Sequence, residues 1–251
     1  MAVQIAGRKV EADPNEVFVE RADGVYAYPR KIDALETATK INPKEYALVQ
    51  EGEQATSAMS MRQGFNGFNH LDTIVKVLKS GLVVPRAKRF ITQYQKVNEA
   101  LQGRAVSYNA SGELIEGERL KQYAHTLNHD CWAWINDSFA EGRGFLGLDV
   151  VTTIGIENGK PAFQREPLED CLQEDCYAEV ESANSQGFLT RRGKIQKYEP
   201  GKSVYFWYPR KDFAVRFGAL PGDAFFGCDG DPQYSDSRLG VFVCAEGAEK
   251  K

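Results

Sequence analysis

Residues 202 to 246 read KSVYFWYPRKDFAVRFGALPGDAFFGCDGDPQYSDSRLGVFVCAE, and the interpretation of the whole chain depends on this stretch. Its two ends, Ser203 to Tyr208 and Leu239 to Cys244, are apolar runs rich in β-branched and aromatic residues, which is typical of buried strands. Glycine, aspartate and phenylalanine are frequent between them. We therefore predict a loop that the two strands hold in place and that displays its aromatic side chains for recognition. An alternative is a long hairpin with two aromatic side chains packed beneath it.

The composition is that of a globular protein, since 42% of the 251 residues are hydrophobic and 26% are charged. This length allows one large domain or two modest ones. The formal net charge is −4, and no run of five or more basic residues occurs. A general nucleic-acid binder needs clustered Lys and Arg to contact phosphates, so the charge argues against a nucleic-acid partner.

Residues 1 to 16, MAVQIAGRKVEADPNE, lack the apolar segment of a signal peptide. No window of the sequence reaches the roughly 18 consecutive apolar residues that a membrane-spanning helix needs. We therefore expect synthesis in a cytoplasm, without a signal peptide or a membrane span. Association with a virion or with further copies of the chain is left open.

Helices and strands are predicted from hydrophobic periodicity and turn residues. Two helices are clear, one from Leu71 to Leu78 that ends before Gly81, and one from Phe90 to Leu101 that ends before Gly103. The other predicted elements are strands at 17–19 and 25–28, a helix at 32–41, a hairpin at 105–115, a helical segment at 121–139, a strand at 148–156 with a partner near 162–163, a short helix at 167–174 and a loop at 177–198. These elements predict an α+β fold with a helical N-terminal part at 1–103 and a strand-rich domain at 104–251, unless both parts belong to one domain.

Two short motifs match known phosphate-binding patterns by letter but not by context. Residues 142 to 147 spell GxGxxG, but a dinucleotide fingerprint needs a strand before it and a helix after it. Here a polar segment precedes the motif and a β-branched run follows, so we interpret it as a glycine-rich turn. Gly201-Lys202-Ser203 is similar to the end of a phosphate loop, but Gln196 stands where that loop requires glycine.

Cysteine and histidine residues raise the question of a zinc site. Cys171 and Cys176, together with His129 and Cys131, offer four ligands of the kind that hold zinc tetrahedrally. Nothing in the sequence brings the two pairs together. We therefore expect buried thiols or a redox-sensitive pair instead of a zinc site.

Asp229, Asp231 and Asp236 are close enough in sequence to suggest Ca²⁺ binding through carboxylate oxygens. The pattern lacks the glutamate that closes an EF-hand loop. Solvated acids on a ligand-contacting loop are therefore expected, and the sequence predicts neither a metal nor a cofactor.

The chain closes with the pattern P-x6-LGVFVCA at residues 232 to 245, and an earlier segment at 215 to 219 reads VRFGA. Both segments resemble strands of C-type lectin domains of the formylglycine-generating-enzyme type, in which a proline, a loop and a strand complete the fold. The resemblance is confined to the C-terminal stretch quoted above. It implies a C-type-lectin-like domain preceded by helical additions. Cys228 and Cys244 lack the spacing of the enzyme's cysteine pair, so the fold is expected without the activity.

Members of this fold without enzymatic activity include the variable proteins of diversity-generating retroelements from phages, bacteria and archaea. There, error-prone copying at adenines scatters substitutions through a C-terminal variable region just before a fixed final strand. Copying of AAY codons cannot produce Trp, Met, Gln, Lys or Glu, and between Gly218 and Ser237 these five types occur once, as Gln233. The resemblance thus implies a non-enzymatic recognition protein with a variable region at about 212–240, binding an unknown protein or cell-surface ligand.

In such a fold the side chains of the variable region divide into two sets. Inward residues are expected to stay apolar and to hold the scaffold: Val215, Phe217, Ala219, Ala224, Cys228 and Leu239. Outward residues are expected to contact the ligand: Asp212, Phe213, Leu220, Asp223, Phe225, Phe226, Asp229, Asp231, Tyr234 and Asp236. Two other hypotheses remain. One is a formylglycine-generating-enzyme-type oxidoreductase or metal-dependent domain using Cys228 and Cys244, and the other is a viral structural protein in which the loop is a subunit contact.

Overall fold

A computed structural model of the chain describes residues 42–51 and 54–246, together with the backbone of four strands nearer the N-terminus. Those strands are β1 (Ala2–Ile5), β2 (Arg8–Glu11), β3 (Glu16–Arg21) and β4 (Gly24–Pro29). β1 pairs with β2 and β3 pairs with β4, each antiparallel, in two separate sheets. The predicted strands at 17–19 and 25–28 are confirmed as β3 and β4. The helix predicted at 32–41 lies outside the described residues.

The next part of the chain contributes two strands and three helices. They are β5 (Tyr46–Glu51), β6 (Gln54–Ser60), α1 (His70–Lys79), α2 (Ala87–Leu101) and α3 (Gly117–His129). α1 and α2 confirm the two clear helices. α1 begins where the Asn69 side chain accepts a hydrogen bond from the amide of Asp72, and Gly81 follows its end with φ of 78°. The hairpin predicted at 105–115 is present as a β-bridge between Tyr108 and Leu114.

Seven strands form the largest sheet in the described part of the chain. They are β7 (Cys131–Glu141), β8 (Leu148–Glu157), β9 (Lys160–Pro167), β10 (Cys176–Glu179), β11 (Ser203–Trp207), β12 (Ala214–Leu220) and β13 (Asp223–Gly230). Their order is β10-β11-β13-β12-β7-β8-β9, and all neighbours are antiparallel except β11 and β13. The last strand, β14 (Cys244–Glu246), pairs with β6 in a three-stranded sheet. The α+β class is therefore confirmed.

In the middle of the chain one predicted helix is too long and another is absent. The segment 121–139 is helical only as far as His129, because from Cys131 onward the backbone pairs with β12 in the centre of the large sheet. The helix predicted from Pro167 to Glu174 is absent. Instead, the amide of Leu168 donates a hydrogen bond to the carbonyl of Leu148, and the carbonyl of Leu168 accepts one from the amide of Phe145. The GxGxxG segment forms the turn between β7 and β8, as its context predicted.

The C-terminal stretch is organised differently from the prediction. Its first end is confirmed as β11, but the segment expected to be a display loop forms the β12–β13 hairpin, which turns at Pro221 and Gly222. In place of the predicted closing strand, Gly240 and Val241 form isolated bridges with Ala133 and Gly64, and regular strand pairing begins only at Cys244. The alternative interpretation as a hairpin therefore describes this stretch better than the display loop does.

The main hydrophobic core lies between the large sheet and the helices α2 and α3. Phe217 on β12 contacts Phe90 and Tyr94 of α2, with ring centroids 4.9 and 5.1 Å apart. The core thus contains side chains from both sides of the division predicted between residues 103 and 104. All inward residues named from the sequence are buried, which confirms that set. Among the described residues, no helix has the length and apolarity needed to cross a bilayer.

Candidate ligand-binding face

The face of the large sheet that points away from α2 and α3 is formed by alternating residues of the C-terminal strands. Successive residues of a strand point to opposite faces. Phe206, Phe217 and Phe226 point toward the helices and are fully buried. Tyr205 and Phe225 therefore point to the opposite face, where they are only partly buried. We call this opposite surface the outer face.

One row of residues crosses the outer face perpendicular to the strands. The backbone register places its members side by side on β10, β11, β13, β12 and β7: Tyr177, Tyr205, Phe225, Gly218 and Trp132. The rings on β10 and β11 meet edge to face at 5.1 Å, and those on β13 and β7 do so at 5.5 Å. Edge-to-face contacts hold aromatic rings in defined orientations. The four rings, which we call the aromatic row, form a partly exposed apolar surface made of two such pairs.

The outer face is closed on one side and extended on another. Trp134 also points outward from β7, but α1 covers it, and its ring packs against His70 at 5.3 Å and donates its Nε1–H to the carbonyl of Phe68. Trp207 extends the open part along β11, with its ring 5.9 Å from that of Tyr205. The accessible aromatic surface therefore lies toward β10 and β11.

A loosely paired arginine and aspartate lie beside the aromatic row. Nη2 of Arg216 on β12 lies 3.7 Å from Oδ1 of Asp229 on β13. The Asp229 side chain is only 10% exposed, yet its Oδ1 has no hydrogen-bond partner, and Nε of Arg216 has none either. Burial raises the pKa of the Asp229 carboxyl group, whereas the positive charge of Arg216 opposes that rise. An unpaired buried polar group costs about 1–3 kcal/mol, so this pair lowers the stability of the sheet locally.

Three guanidinium groups of this region lie near aromatic rings, and each has an aspartate beside it. Arg216 lies 5.4 Å from the ring centre of Phe225. The two other sets are Arg210 with Tyr208 at 4.8 Å and Asp175, and Arg238 with Trp132 at 5.8 Å and Asp236. Stacking on a ring limits the motion of a guanidinium group, so its donors are held in place before a ligand arrives.

The structure places the predicted outward residues in three regions, and the prediction is wrong for one residue. Four lie on the outer face, namely Leu220, Asp223, Phe225 and Asp229. The others lie in the loops on either side of the hairpin: Asp212 and Phe213 before β12, and Asp231, Tyr234 and Asp236 after β13. Phe226 is the exception, because its ring is fully buried and stacks 6.1 Å from that of Phe206 in the core.

Sequence reasoning missed most of the aromatic row. Tyr205 of the row, and Trp207 beside it, belong to a run that was expected to be a buried strand. Because the two residues are two positions apart in a strand, the sequence could have indicated that they share one face. Tyr177 was assigned to a loop and Trp132 to a helix. Arg216 was not singled out, and no short-range signal relates it to Asp229.

The cysteine and aspartate clusters do not assemble into the sites considered from the sequence. All five cysteines are buried thiols, and burial raises the pKa of Cys228 well above its ordinary value and that of Cys171 to about 12. Asp229 faces Arg216, whereas Asp236 accepts hydrogen bonds from Arg238. Within the described residues, no group of three or more His, Cys, Asp or Glu side chains is arranged to hold a metal ion.

No model of a known protein family, no curated protein and no solved structure matches this chain. The function of the outer face is therefore inferred from its geometry.

Proposed function

We propose that this chain is a ligand-recognition protein that binds through the outer face of its large sheet. The observation that carries the proposal is the aromatic row, with Tyr177, Tyr205, Phe225 and Trp132 partly exposed side by side. Aromatic side chains supply large contact areas and lose little conformational entropy on binding, so they dominate recognition surfaces. The two edge-to-face pairs of the row, Tyr177 with Tyr205 and Phe225 with Trp132, are ordered before the ligand binds, which lowers the cost of association.

The scaffold we propose is C-type-lectin-like, of the formylglycine-generating-enzyme type, and its variable region is the β12–β13 hairpin with the loop that follows. The hairpin lies between β7 and β11, so its backbone is held by hydrogen bonds on both sides. Outward residues such as Leu220 and Asp223 contribute little to the core. Substitutions there change the ligand-contacting surface at little cost in stability, which is what diversification by a retroelement requires.

Sequencing of the gene in a population tests this proposal without knowledge of the ligand. Many copies of the codons for residues 203 to 246 are read, together with the neighbouring DNA. We expect amino-acid differences at outer-face residues such as Phe225 and in the loop 231–238, and none at core residues such as Phe217 and Phe226. We also expect a near-copy of codons 215 to 240 beside a reverse-transcriptase gene, with mismatches at template adenines. Absent variation, or variation spread evenly over core and surface, would overturn the proposed diversification.

We do not propose the oxidoreductase alternative, because no observation specifically favours it. Cys228 and Cys244 are both fully buried and lie in different sheets. Thiolates are the reactive form of cysteine, and the raised pKa of Cys228 disfavours that form.

A further inference from the structure

The helix α3 carries two histidines on its solvent side, across the large sheet from the outer face. His125 and His129 are four residues apart, so they lie one above the other on the same side of the helix. His125 is exposed and His129 is partly buried, whereas Tyr123 and Leu127 on the other side of α3 pack into the main core. The two imidazole rings meet at the surface, with their centres 4.9 Å apart and their planes inclined at 47°.

The distance between these ring centres is the one that a shared metal ion requires. Imidazole nitrogens bind Zn²⁺ at about 2.0 Å, which places the ion about 3.2 Å from each ring centre. Ligand angles of about 90–110° at the ion then separate the two ring centres by about 4.5–5.2 Å. The observed separation of 4.9 Å lies inside this interval. One ion therefore fits between the two rings without a movement of the helix backbone.

The ring nitrogens are available, and the helix turn that carries them is held in place. Within the part of the chain that the structure describes, neither imidazole forms a hydrogen bond or an ion pair. Asn128, in the same turn, is buried and donates hydrogen bonds at 2.8 Å to Oδ1 of Asn98 on α2 and to the carbonyl of Ala124. It also accepts one from the hydroxyl group of Tyr198 at 3.0 Å. These contacts fix the last turn of α3, which lowers the cost of ordering the site on binding.

The chemistry at this end of the helix favours a transition-metal cation. His129 is the last residue of α3, where the carbonyl groups of the helix end carry a partial negative charge, and the carboxylate of Asp130 follows. Imidazole suits Cu²⁺, Zn²⁺ and Ni²⁺, whereas Mg²⁺ and Ca²⁺ prefer oxygen ligands. For one set of ligands, Cu²⁺ generally binds more tightly than Ni²⁺ or Zn²⁺.

We infer that His125 and His129 form a binding site for a divalent transition-metal ion, with Cu²⁺ bound most tightly. Within the described residues, no third His, Cys, Asp or Glu side chain joins the pair. Water, or a donor group of another molecule, fills the remaining positions, so the site is open and reversible. This site differs from the zinc site considered from the sequence, which combined His129 with three cysteines. It also stands or falls independently of the function proposed for the outer face.

Isothermal titration calorimetry of the full chain, without added histidine residues, tests the inference with Cu²⁺ and with Zn²⁺ at neutral pH. We expect one ion to bind per chain. His125→Gln and His129→Gln should each weaken binding about tenfold or more, because the second imidazole no longer binds intramolecularly. Zn²⁺ should also raise the urea unfolding midpoint of the wild type, since the unfolded chain does not hold the two rings together. Neither single variant should show that rise.

A rearranged pair distinguishes chelation from the mere presence of two histidines. Lys121→His combined with His125→Gln keeps two histidines on the same side of α3, but residues 121 and 129 are about 12 Å apart along the helix axis. One ion cannot bind both, so this double variant should bind as weakly as His125→Gln. The matched control is Lys121→Gln, which changes the same exposed position and retains both imidazoles. It should bind at least as tightly as the wild type.

Three results would overturn the inference. They are the absence of saturable binding of either metal, wild-type affinity in His125→Gln or His129→Gln, and wild-type affinity in the rearranged double variant. Tighter binding of Zn²⁺ than of Cu²⁺ would overturn the stated preference. Circular dichroism shows whether a variant that has lost binding is still folded. If one single variant is unfolded, the other decides, because each removes one of the two ligands.

Discussion

The ring of Phe225 on β13 lies over Gly218 on β12, and a Cβ atom at residue 218 would come within 2.3 Å of its Cζ atom. The absence of a side chain at Gly218 therefore lets the ring lie across the neighbouring strand and reach Trp132 on the strand beyond. One glycine thus joins two parts of the aromatic row.

Gly218→Ala should displace the ring of Phe225 with little loss of stability. The clash involves the far end of a partly exposed side chain that can move, so we expect a change within about 1 kcal/mol. Gly144→Ala is the contrast, because its Cβ would lie 2.0 Å from the backbone nitrogen of Leu168, which cannot move aside. We expect that variant to lose at least about 2 kcal/mol. Urea denaturation measures both, and a change in tryptophan fluorescence of the folded Gly218→Ala protein would report the displaced contact. Equal losses in the two variants would contradict this account.

Phe225 and Phe226 are adjacent in sequence and should behave in opposite ways. Phe226→Ala removes a fully buried ring from the main core and should cost about 3–5 kcal/mol. Phe225→Ala removes a partly exposed ring and should cost about 1 kcal/mol while weakening ligand binding. Denaturation curves of the two variants are compared under identical conditions. Similar stability losses would mean that Phe225 belongs to the core and not to a recognition surface.

The difference between Phe225 and Phe226 shows what could not be predicted from the sequence. Composition and periodicity were enough for the α+β class and for α1 and α2, and the resemblance to a lectin fold supplied the apolar inward set. They could not decide which phenylalanine faces outward, because the side-chain direction depends on the register of β13 against β11 and β12, with a bulge near Ala214. That register is set by contacts between residues far apart in sequence.

Contacts between residues far apart in sequence also explain why the segment that forms β7 was wrongly predicted to be helical. Residues 131 to 135, CWAWI, have no clear alternation, and their aromatic residues continued the helical pattern of α3. The backbone leaves the helix after His129 because it pairs with β12, more than eighty residues further along the chain. Trp132 lies on the outer face only because β7 pairs with β12. Local propensity contains no information about such a partner.

His70 should make stability depend on pH in the mildly acidic range. Burial lowers its pKa from 6.5 to about 4, although its ring nitrogen lies 2.8 Å from the carbonyl oxygen of Ile135. The unfolded chain therefore binds a proton more readily than the folded chain between these two values. Stability from this group is fully present above pH 6.5 and is lost as the pH falls toward 4, by about 3 kcal/mol in total.

The variant His70→Gln retains a hydrogen-bond donor but cannot titrate in this range. Its stability should lack this component of the pH dependence, as measured by urea denaturation at several pH values between 4 and 7. His125→Gln, at an exposed position, is the control and should keep the wild-type slope. A wild-type slope in His70→Gln would show that other groups cause the pH dependence.

The thiols should be unreactive in the folded chain. All five cysteines are buried, and burial raises the pKa of Cys131 and Cys228 well above the ordinary value. A thiol reagent at mildly alkaline pH should label none of them within minutes, and all five after unfolding in guanidinium. A fast-reacting thiol that disappears in Cys228→Ser would oppose this expectation and would favour the oxidoreductase alternative.

Among the carboxylates of the large sheet, substitution of Asp137 should lower the free energy of unfolding most, because its hydrogen bonds join β7 to the start of α2. It is fully buried and accepts hydrogen bonds from the backbone amide of Ala87 at 2.7 Å, from Oγ1 of Thr152 at 2.6 Å and from Nε of Arg86 at 3.1 Å. Asp137→Ala leaves all three donors without this acceptor and should cost about 3–5 kcal/mol.

Glu166 provides the matched control, since it pairs with the same guanidinium group of Arg86 but remains partly exposed. Glu166→Ala should cost less than about 1 kcal/mol, and salt should reduce that cost because exposed ion pairs are screened. The cost of Asp137→Ala should persist in salt, because the carboxylate is removed from solvent. If the two variants lost similar stability, or if salt abolished the effect at residue 137, the buried carboxylate would not be what holds α2 against the sheet.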